Sequence, residues 1–254
     1  MKKTFLFLII AAFAIQANAQ THFSLHVGGA MPTGDFGAYS KKGAKLATQN
    51  PSGKEGGAGM GFNLGMKAKF DIPSVDGLGI IVTGDIYYNG LNSDYKDDLE
   101  KMEDNYEMEI SGGKYLNIPL MAGINYTHNI SEDFGVFGEA ALGANFRKIT
   151  NMTYKNDYAE STYKYDMATT LGFQIGAGMI FKEKFSVGIH YYALGTSKVK
   201  GKIDSEGEDG YDDDNWKKSK GDEYDGDYNG SEDDTFKAGK LSTSMLVIRF
   251  GLHF

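Results

Sequence analysis

The feature that most constrains the fold is the C-terminal stretch 242–254, which reads STSMLVIRFGLHF. Its apolar side chains of one parity are Leu246, Ile248, Phe250, Leu252 and Phe254. The other parity carries Thr243, Arg249 and His253 among mixed neighbours. Because side chains alternate across a strand, the stretch predicts a β-strand with one apolar face. It is also long enough to cross a bilayer, since a tilted membrane strand needs about 9–11 residues.

The N-terminal segment has the composition of a cleavable export signal. Lys2 and Lys3 precede an apolar run over 5–15, and Ala17-Asn18-Ala19 supplies small residues for cleavage. The run is too short for a membrane-spanning helix. We therefore expect residues 1–19 to be a signal peptide and residues 20–254 to form a single outer-membrane barrel domain.

The rest of the composition excludes several classes of protein. The chain has no cysteine, which excludes a disulfide scaffold and a lipid anchor on an N-terminal cysteine. Removal of Lys2 and Lys3 with the signal changes the net charge from −8 to −10, and this sign disfavours nucleic acid as a partner. The 34 glycines, with 16 tyrosines and 16 phenylalanines, favour a β architecture.

Eight segments have the length and the alternation of strands. They cover residues 22–31, 58–71, 78–89, 114–128, 134–148, 169–182, 185–196 and 241–254. The connections after the first, third, fifth and seventh are long, at 32–57, 90–113, 149–168 and 197–240. Those after the second, fourth and sixth are short, at 72–77, 129–133 and 183–184. This alternation predicts an all-β fold, an eight-stranded antiparallel up-and-down transmembrane β-barrel with four long outer loops and short periplasmic turns.

Parity within the strands predicts which side chains face lipid. In 60–70, 116–126 and 171–181 the apolar residues share one parity, and polar residues or glycines hold the other. At the short-turn ends the apolar parity ends in aromatic residues. This predicted aromatic girdle consists of Phe23, Phe70, Tyr126, Phe134, Phe181, Phe185 and Phe254.

A soluble barrel of the lipocalin type is the structural alternative, because parity alone does not say which face is inside. In such a barrel the apolar face would point inward and the charged residues would face water. The aromatic girdle, the terminal Phe254 and the alternating connections favour the membrane barrel.

The fourth and seventh strands resemble a known family. The run Tyr115-Leu116-Asn117-Ile118-Pro119-Leu120, and Tyr191 and Tyr192 with Gly195, resemble the outer-membrane protein β-barrel domain family, the small porin-like proteins of Gram-negative bacteria and of the Bacteroidetes branch in particular. The C-terminal strand likewise resembles the signal that the barrel-insertion machinery reads. Because proline removes a donor from the ladder, Pro119 predicts a β-bulge, and the family pattern has a proline at the same place. The resemblance implies a bacterial outer-membrane location, and its motifs are structural.

Six charged residues have the inward parity and form a predicted lumen network. They are Lys67, Lys69, Asp85, Glu139, Arg147 and Arg249. Because an eight-stranded interior is just filled by side chains, these charges must be paired. Two acids for four bases predict that each acid serves more than one base. His26 and His190 also point inward, with Ser24 and Ser186 as possible nucleophiles, but no spacing links them into a catalytic site.

The fourth long loop is strongly acidic. Residues 199–237 contain 14 acids and 6 lysines. Asp225, Asp227, Asn229 and Asp233 match the first nine positions of an EF-hand loop, although Phe236 stands where a bidentate glutamate is expected. A solvated acidic loop is the favoured interpretation, and a weak calcium site is the alternative.

These observations predict a non-enzymatic outer-membrane barrel that anchors acidic surface loops for envelope integrity, adhesion or ligand contact. A narrow porin for ions or small solutes is the alternative, and a barrel-embedded lipid-modifying enzyme is a third. We expect no cofactor. The expected partners are outer-membrane lipid, the barrel-insertion machinery, and divalent cations or surface ligands at the loops.

Overall fold

The computed structural model describes residues 21–39, 55–207 and 235–254. This part of the chain contains eleven strands and two helices. The strands are β1 (Thr21–Thr33), β2 (Ala58–Asp71), β3 (Leu78–Leu91), β4 (Glu109–Gly112), β5 (Tyr115–Asn129), β6 (Phe134–Ile149), β7 (Met152–Lys155), β8 (Ala159–Tyr165), β9 (Ala168–Phe181), β10 (Phe185–Gly207) and β11 (Thr235–His253). The helices are α1 (Gly34–Gly37) and α2 (Ser93–Tyr106). The predicted signal peptide lies outside the described residues.

Eight of the strands form a closed antiparallel ring. The order is β11-β1-β2-β3-β5-β6-β9-β10, and pairing of β10 with β11 closes it. These are the eight predicted strands, so the predicted fold class is confirmed. Six of them match their predicted bounds to within two residues. The other two, β10 and β11, continue well into the region that the sequence assigned to the acidic loop.

Both termini of the ring and the three short connections lie at one end of the barrel, the short-turn end. The tightest connection joins β9 to β10, where the Lys184 amide donates to the Phe181 carbonyl at 3.0 Å. Lys182 and Glu183 at its centre have φ angles of 50° and 55°. Two successive positive φ angles match the right-handed twist of the strands, which explains how a hairpin forms here without glycine.

The chain passes Pro119 without a bulge, contrary to the prediction. On the β6 side Pro119 pairs with Asn145, within an unbroken register. On the β3 side, Gly84–Leu120 and Tyr87–Asn117 keep the same register across a short gap in the pairing. The missing N–H therefore interrupts the ladder locally instead of shifting it.

A bulge does occur in β10, at Gly195. The register with β11 shifts between Ala193 and Thr196, and Gly195 has a φ of 82°. A Cβ at Gly195 would lie 2.5 Å from the Leu171 carbonyl oxygen. Both the conformation and the close approach require glycine here, which gives a physical reason for the residue noted in the sequence.

The opposite end of the barrel is the long-loop end. The connections there, predicted as loops, contain additional strands and a helix. The upper part of β10 pairs with β8, β8 with β7, and β7 with β4. Helix α2 begins after Asn92, whose side chain accepts a hydrogen bond from the Tyr95 amide at 2.8 Å. It ends at Tyr106, and the capping residue Glu107 has a left-handed φ of 49°. No helix in the described part of the chain is long and apolar enough to cross a membrane.

The outer face of the ring is an apolar band. Along β2 its outward residues run from Met60 through Phe62, Leu64 and Met66 to Phe70, and the first four are more than half exposed. These ten steps of strand give a band about 25 Å tall at the usual tilt of about 40°. The predicted girdle residues lie on this face near the short-turn end, where Phe134 and Phe181 are in contact with ring centroids 5.5 Å apart.

Candidate functional site in the barrel interior

The inner face of the ring carries a buried charge cluster at about the middle of the apolar band. The cluster consists of His26 on β1, Lys67 on β2, Asp85 on β3, Glu139 on β6, His190 on β10 and Arg249 on β11. All but Lys67 are at most 6% exposed. Since each comes from a different strand, only closure of the ring brings them together.

Asp85 is the acceptor at the centre of one half of the cluster. Its Oδ1 lies 2.6 Å from His26 Nε2, 2.8 Å from Arg249 Nη2 and 3.0 Å from Asn63 Nδ2. Its Oδ2 accepts a hydrogen bond from the Thr83 hydroxyl at 3.0 Å. Both carboxylate oxygens therefore have hydrogen-bond partners, as a buried charge requires.

Glu139 occupies the same role in the other half. Lys67 Nζ lies 2.7 Å from its Oε2, and His190 Nε2 lies 3.0 Å from its Oε1. The amides of Asn125 and Gln174 are each 3.4 Å away. Glu139 thus has a lysine and a histidine as basic partners, and Asp85 has an arginine and a histidine.

Arg249 joins the two halves. Its Nη2 contacts Asp85, and its Nη1 lies 4.0 Å from Glu139 Oε1. The same guanidinium reaches the hydroxyls of Tyr87 and Tyr192, whose rings pack with centroids 5.1 Å apart. A planar group with five donors suits this bridging position better than a lysine would.

Two members of the predicted lumen network lie outside the cluster. Lys69 pairs with Asp71 at 3.1 Å near the short-turn end. Arg147 is buried nearer the long-loop end, where it donates to the Leu241 carbonyl at 3.0 Å and to the hydroxyls of Thr243 and Ser197. Without these two bases the cluster holds Lys67 and Arg249 against Asp85 and Glu139, so its lysine, arginine and carboxylate charges balance.

The open space beside the cluster is small. A cavity of about 10 Å³ is lined by Ser24, His26, Lys67, Ser186, His190 and Arg249, together with Phe137 and two glycines. This is room for about one water molecule. Its polar lining suits a water.

Towards the long-loop end the lumen is closed by an apolar plug. Its buried residues are Ala30, Phe36, Ala58, Leu91, Tyr95, Tyr115, Ile149, Met152, Tyr165, Leu194, Val199 and Leu241. They come from the barrel strands and from α1, α2, β7 and β8. Phe36 stacks edge-on against Tyr115, with centroids 5.1 Å apart. Burial raises the pKa of the Tyr95 hydroxyl far above its usual range, so this residue stays neutral within the plug.

The two histidines predicted as candidate bases, His26 and His190, are hydrogen-bonded to carboxylates and not to Ser24 or Ser186 in the described part of the chain. Ser186 contacts His253 Nε2 at 2.8 Å, whereas His190 contacts Glu139. Within the described ranges no group of three or more acidic or histidine side chains is placed to hold a metal ion. The half-motif Asp225, Asp227, Asn229 and Asp233 lies outside the described residues.

The predicted lumen network left out the neutral members of the interior. Asn63, Thr83, Tyr87, Gln174 and Tyr192 are at most 2% exposed and lie in or against the cluster. They have the same strand parity as the charged residues, and this parity places Asn63 and Gln174 on the inward face from the sequence alone. The carboxylate that each of these residues lies near depends on strand register, and parity does not determine the register.

A closed antiparallel ring with a filled polar interior and an apolar outer face defines a transmembrane β-barrel of the outer-membrane type. Solved structures with a similar shape include the outer membrane protein OprG from Pseudomonas aeruginosa, at 13% identity and a TM-score of 0.47, over 94% of this chain and 99% of that one. A major outer membrane protein from Thermus thermophilus is 11% identical with a TM-score of 0.43, over 92% of this chain and all of that one. The Yersinia pestis outer membrane protein Ail is 15% identical with a TM-score of 0.36 at the same coverage.

These structures belong to the class of protein that the sequence predicts. No family model matches the chain. No curated protein matches it significantly either.

Proposed function

We propose that the protein is a non-conducting, non-enzymatic barrel of the bacterial outer membrane that anchors surface segments for contact with ligands or other surfaces. The observation that carries this proposal is the filling of the lumen. The charge cluster occupies the middle of the barrel and the apolar plug closes the long-loop end. Between them, Tyr87, Tyr192 and Met245 are completely buried.

The porin alternative needs a continuous water-filled path. An eight-stranded barrel has an interior just wide enough for its own side chains. Here the buried rings of Tyr87 and Tyr192 pack against each other inside the lumen. The cavity beside the charge cluster accommodates about one water. The geometry therefore favours an anchor over a channel.

Conductance in planar bilayers tests the proposal. We expect the full mature protein, inserted as a folded barrel, to give no stepwise conductance above that of the lipid. The matched comparison is a variant in which Tyr87 and Tyr192 are both replaced by alanine, which removes the side chains that separate the cluster from the plug. Regular conductance steps from the unmodified protein would overturn the anchor and support the porin.

Membrane placement is tested independently by heat modifiability. The folded barrel in the outer-membrane fraction should migrate differently before and after boiling in detergent, because a closed ladder resists detergent until heated. Recovery of the protein only in the soluble fraction would contradict the placement.

The surface role is supported by the acidity of the chain that joins β10 to β11. Residues 208–234 contain 12 acids and 3 lysines. Since β10 and β11 pair as far as Lys202 with Thr235, a deletion should be confined to 208–234, and not extended to the acidic span 199–237 predicted from the sequence.

Calorimetry with calcium on the full protein and on Asp225→Asn/Asp227→Asn distinguishes a calcium site from a solvated acidic segment.

A further inference from the structure

The outer face of β10 and β11 changes character abruptly above the apolar band. From Phe185 to Tyr191 the outward residues of β10 are apolar, whereas beyond Gly195 they are Thr196, Lys198, Lys200 and Lys202. On β11 the same change leads from Leu246 through Ser244 and Ser242 to Lys240. We define Lys198, Lys200, Lys202 and Lys240 as the lysine strip, and all four are exposed.

The strip is unusual because none of its charges is paired with an acid within the described residues. Lys198 and Lys240 are directly opposite each other in the ladder. Lys202 is directly opposite Lys164, which is itself paired with Asp204. No ion pair formed among the described residues includes any of the four lysines of the strip. Like charges directly opposite one another destabilise a sheet, so the strip costs the isolated protein stability.

The height of the strip identifies what could balance it. A band about 25 Å tall covers about ten residues of a strand tilted by about 40°. Centred on the level of His190 and Val247, it ends near Gly195 on β10 and Ser242 on β11. Lys198 and Lys240 then lie about 5 Å above the hydrocarbon edge, within a headgroup layer that is roughly 5–8 Å thick. Lys202 lies higher, about 15 Å above the edge by the same strand geometry.

We propose that the lower part of the lysine strip binds the phosphate groups of outer-leaflet lipid headgroups, with Lys198 and Lys240 as the direct contacts. This inference rests on the proposed placement of the barrel in the outer membrane. Lysine is a compact charge with three donors that suits a phosphate oxygen. The mature chain has a net charge of −10, so a local basic strip facing sideways into the headgroup layer is directed at lipid.

The test measures binding of a diphosphorylated glycolipid of the lipid A type to the folded full-length mature barrel in a maltoside detergent, by native mass spectrometry. Each lysine near an anionic lipid surface contributes about fivefold to affinity. Lys198→Gln/Lys240→Gln should therefore weaken binding about 25-fold. Lys202→Gln, which lies above the headgroup layer, should weaken it by less than about fivefold.

The matched control is Lys96→Gln/Lys101→Gln on α2, which removes the same charge from another exposed surface and should leave affinity unchanged. An equal loss of glycolipid affinity in the two double variants would show a nonspecific charge effect and overturn the proposal. Unchanged affinity in Lys198→Gln/Lys240→Gln would overturn it as well. These variants should fold normally, since they relieve a repulsion, and heat modifiability verifies this separately from the binding result.

Two further arms separate lipid from other anions. The dephosphorylated glycolipid should bind at least tenfold more weakly than the phosphorylated form, and millimolar inorganic phosphate should not displace it. Effective displacement would mean a free-phosphate site and overturn the lipid assignment. Deletion of 208–234 should leave affinity within about twofold, whereas a large increase would show that the acidic segment occupies the lysines and would overturn the proposal.

Discussion

The charge cluster and the apolar plug fill the same lumen with opposite chemistries. In the cluster each carboxylate has at least two basic partners and its remaining oxygen sites are used by amides or hydroxyls. In the plug the buried side chains are stabilised by close apolar packing, with few polar contacts. The cluster depends on specific partners, because an unpaired buried charge is costly. The plug depends on close packing, because the side chains that line a void lose their van der Waals contacts.

The largest expected effect comes from removing a charge from the cluster. Glu139→Gln leaves Lys67 without its carboxylate and removes the negative charge that lies 4.0 Å from Arg249 Nη1. We expect the free energy of unfolding to fall by about 3–5 kcal/mol. Urea unfolding in detergent micelles, followed by the folded gel band, measures it.

The control for this change is Glu160→Gln, which breaks an exposed pair with Lys155 at 3.6 Å. An exposed pair is worth about 0–1 kcal/mol, so this variant should remain close to wild type. An unchanged unfolding midpoint for Glu139→Gln would show that water satisfies the bases, and the contrast between cluster and plug would then disappear.

The plug should respond to loss of volume and not to loss of charge. Leu241 is completely buried and lies against Gly56. Leu241→Ala should reduce the free energy of unfolding by about 2–5 kcal/mol through the cavity it leaves. Leu142→Ala removes an outward side chain that is 64% exposed, and it should cost less because lipid can fill the space. Equal losses in the two variants would argue against a packed plug.

A smaller effect is expected where the cluster itself requires space. A Cβ at Gly176 would lie 2.0 Å from His190 Cδ2 and 2.6 Å from His190 Nε2, the atom that contacts Glu139. Gly176→Ala should therefore displace His190 and cost about 1–3 kcal/mol of unfolding free energy. Gly138→Ala is the matched control, because nothing lies within 4 Å of a Cβ there. If both alanine variants unfold at the wild-type midpoint, His190 moves freely and the cluster is not tightly packed.

The parts of the fold that sequence reasoning missed depend on pairing between distant segments. Strands β4, β7 and β8 lie in polar connections, and β4 pairs with β7 across a separation that spans two barrel strands. Their short lengths gave no clear period. Helix α2 was accessible from sequence, since Asn92 is a favourable N-cap and Tyr95 and Leu99 are four residues apart on one face.

The sequence by itself determined the number of barrel strands, their order and which face of each strand points outward. These properties follow from local features, the two-residue alternation of side chains and the length of each connection. Only the tertiary structure decided which acid meets which base. Lys67, Glu139 and Arg249 come from β2, β6 and β11, and their distances depend on the register at which the ring closes. Closure also assigned Lys69 and Arg147 to other surroundings, because inward parity fixes the direction of a side chain but not its height in the lumen.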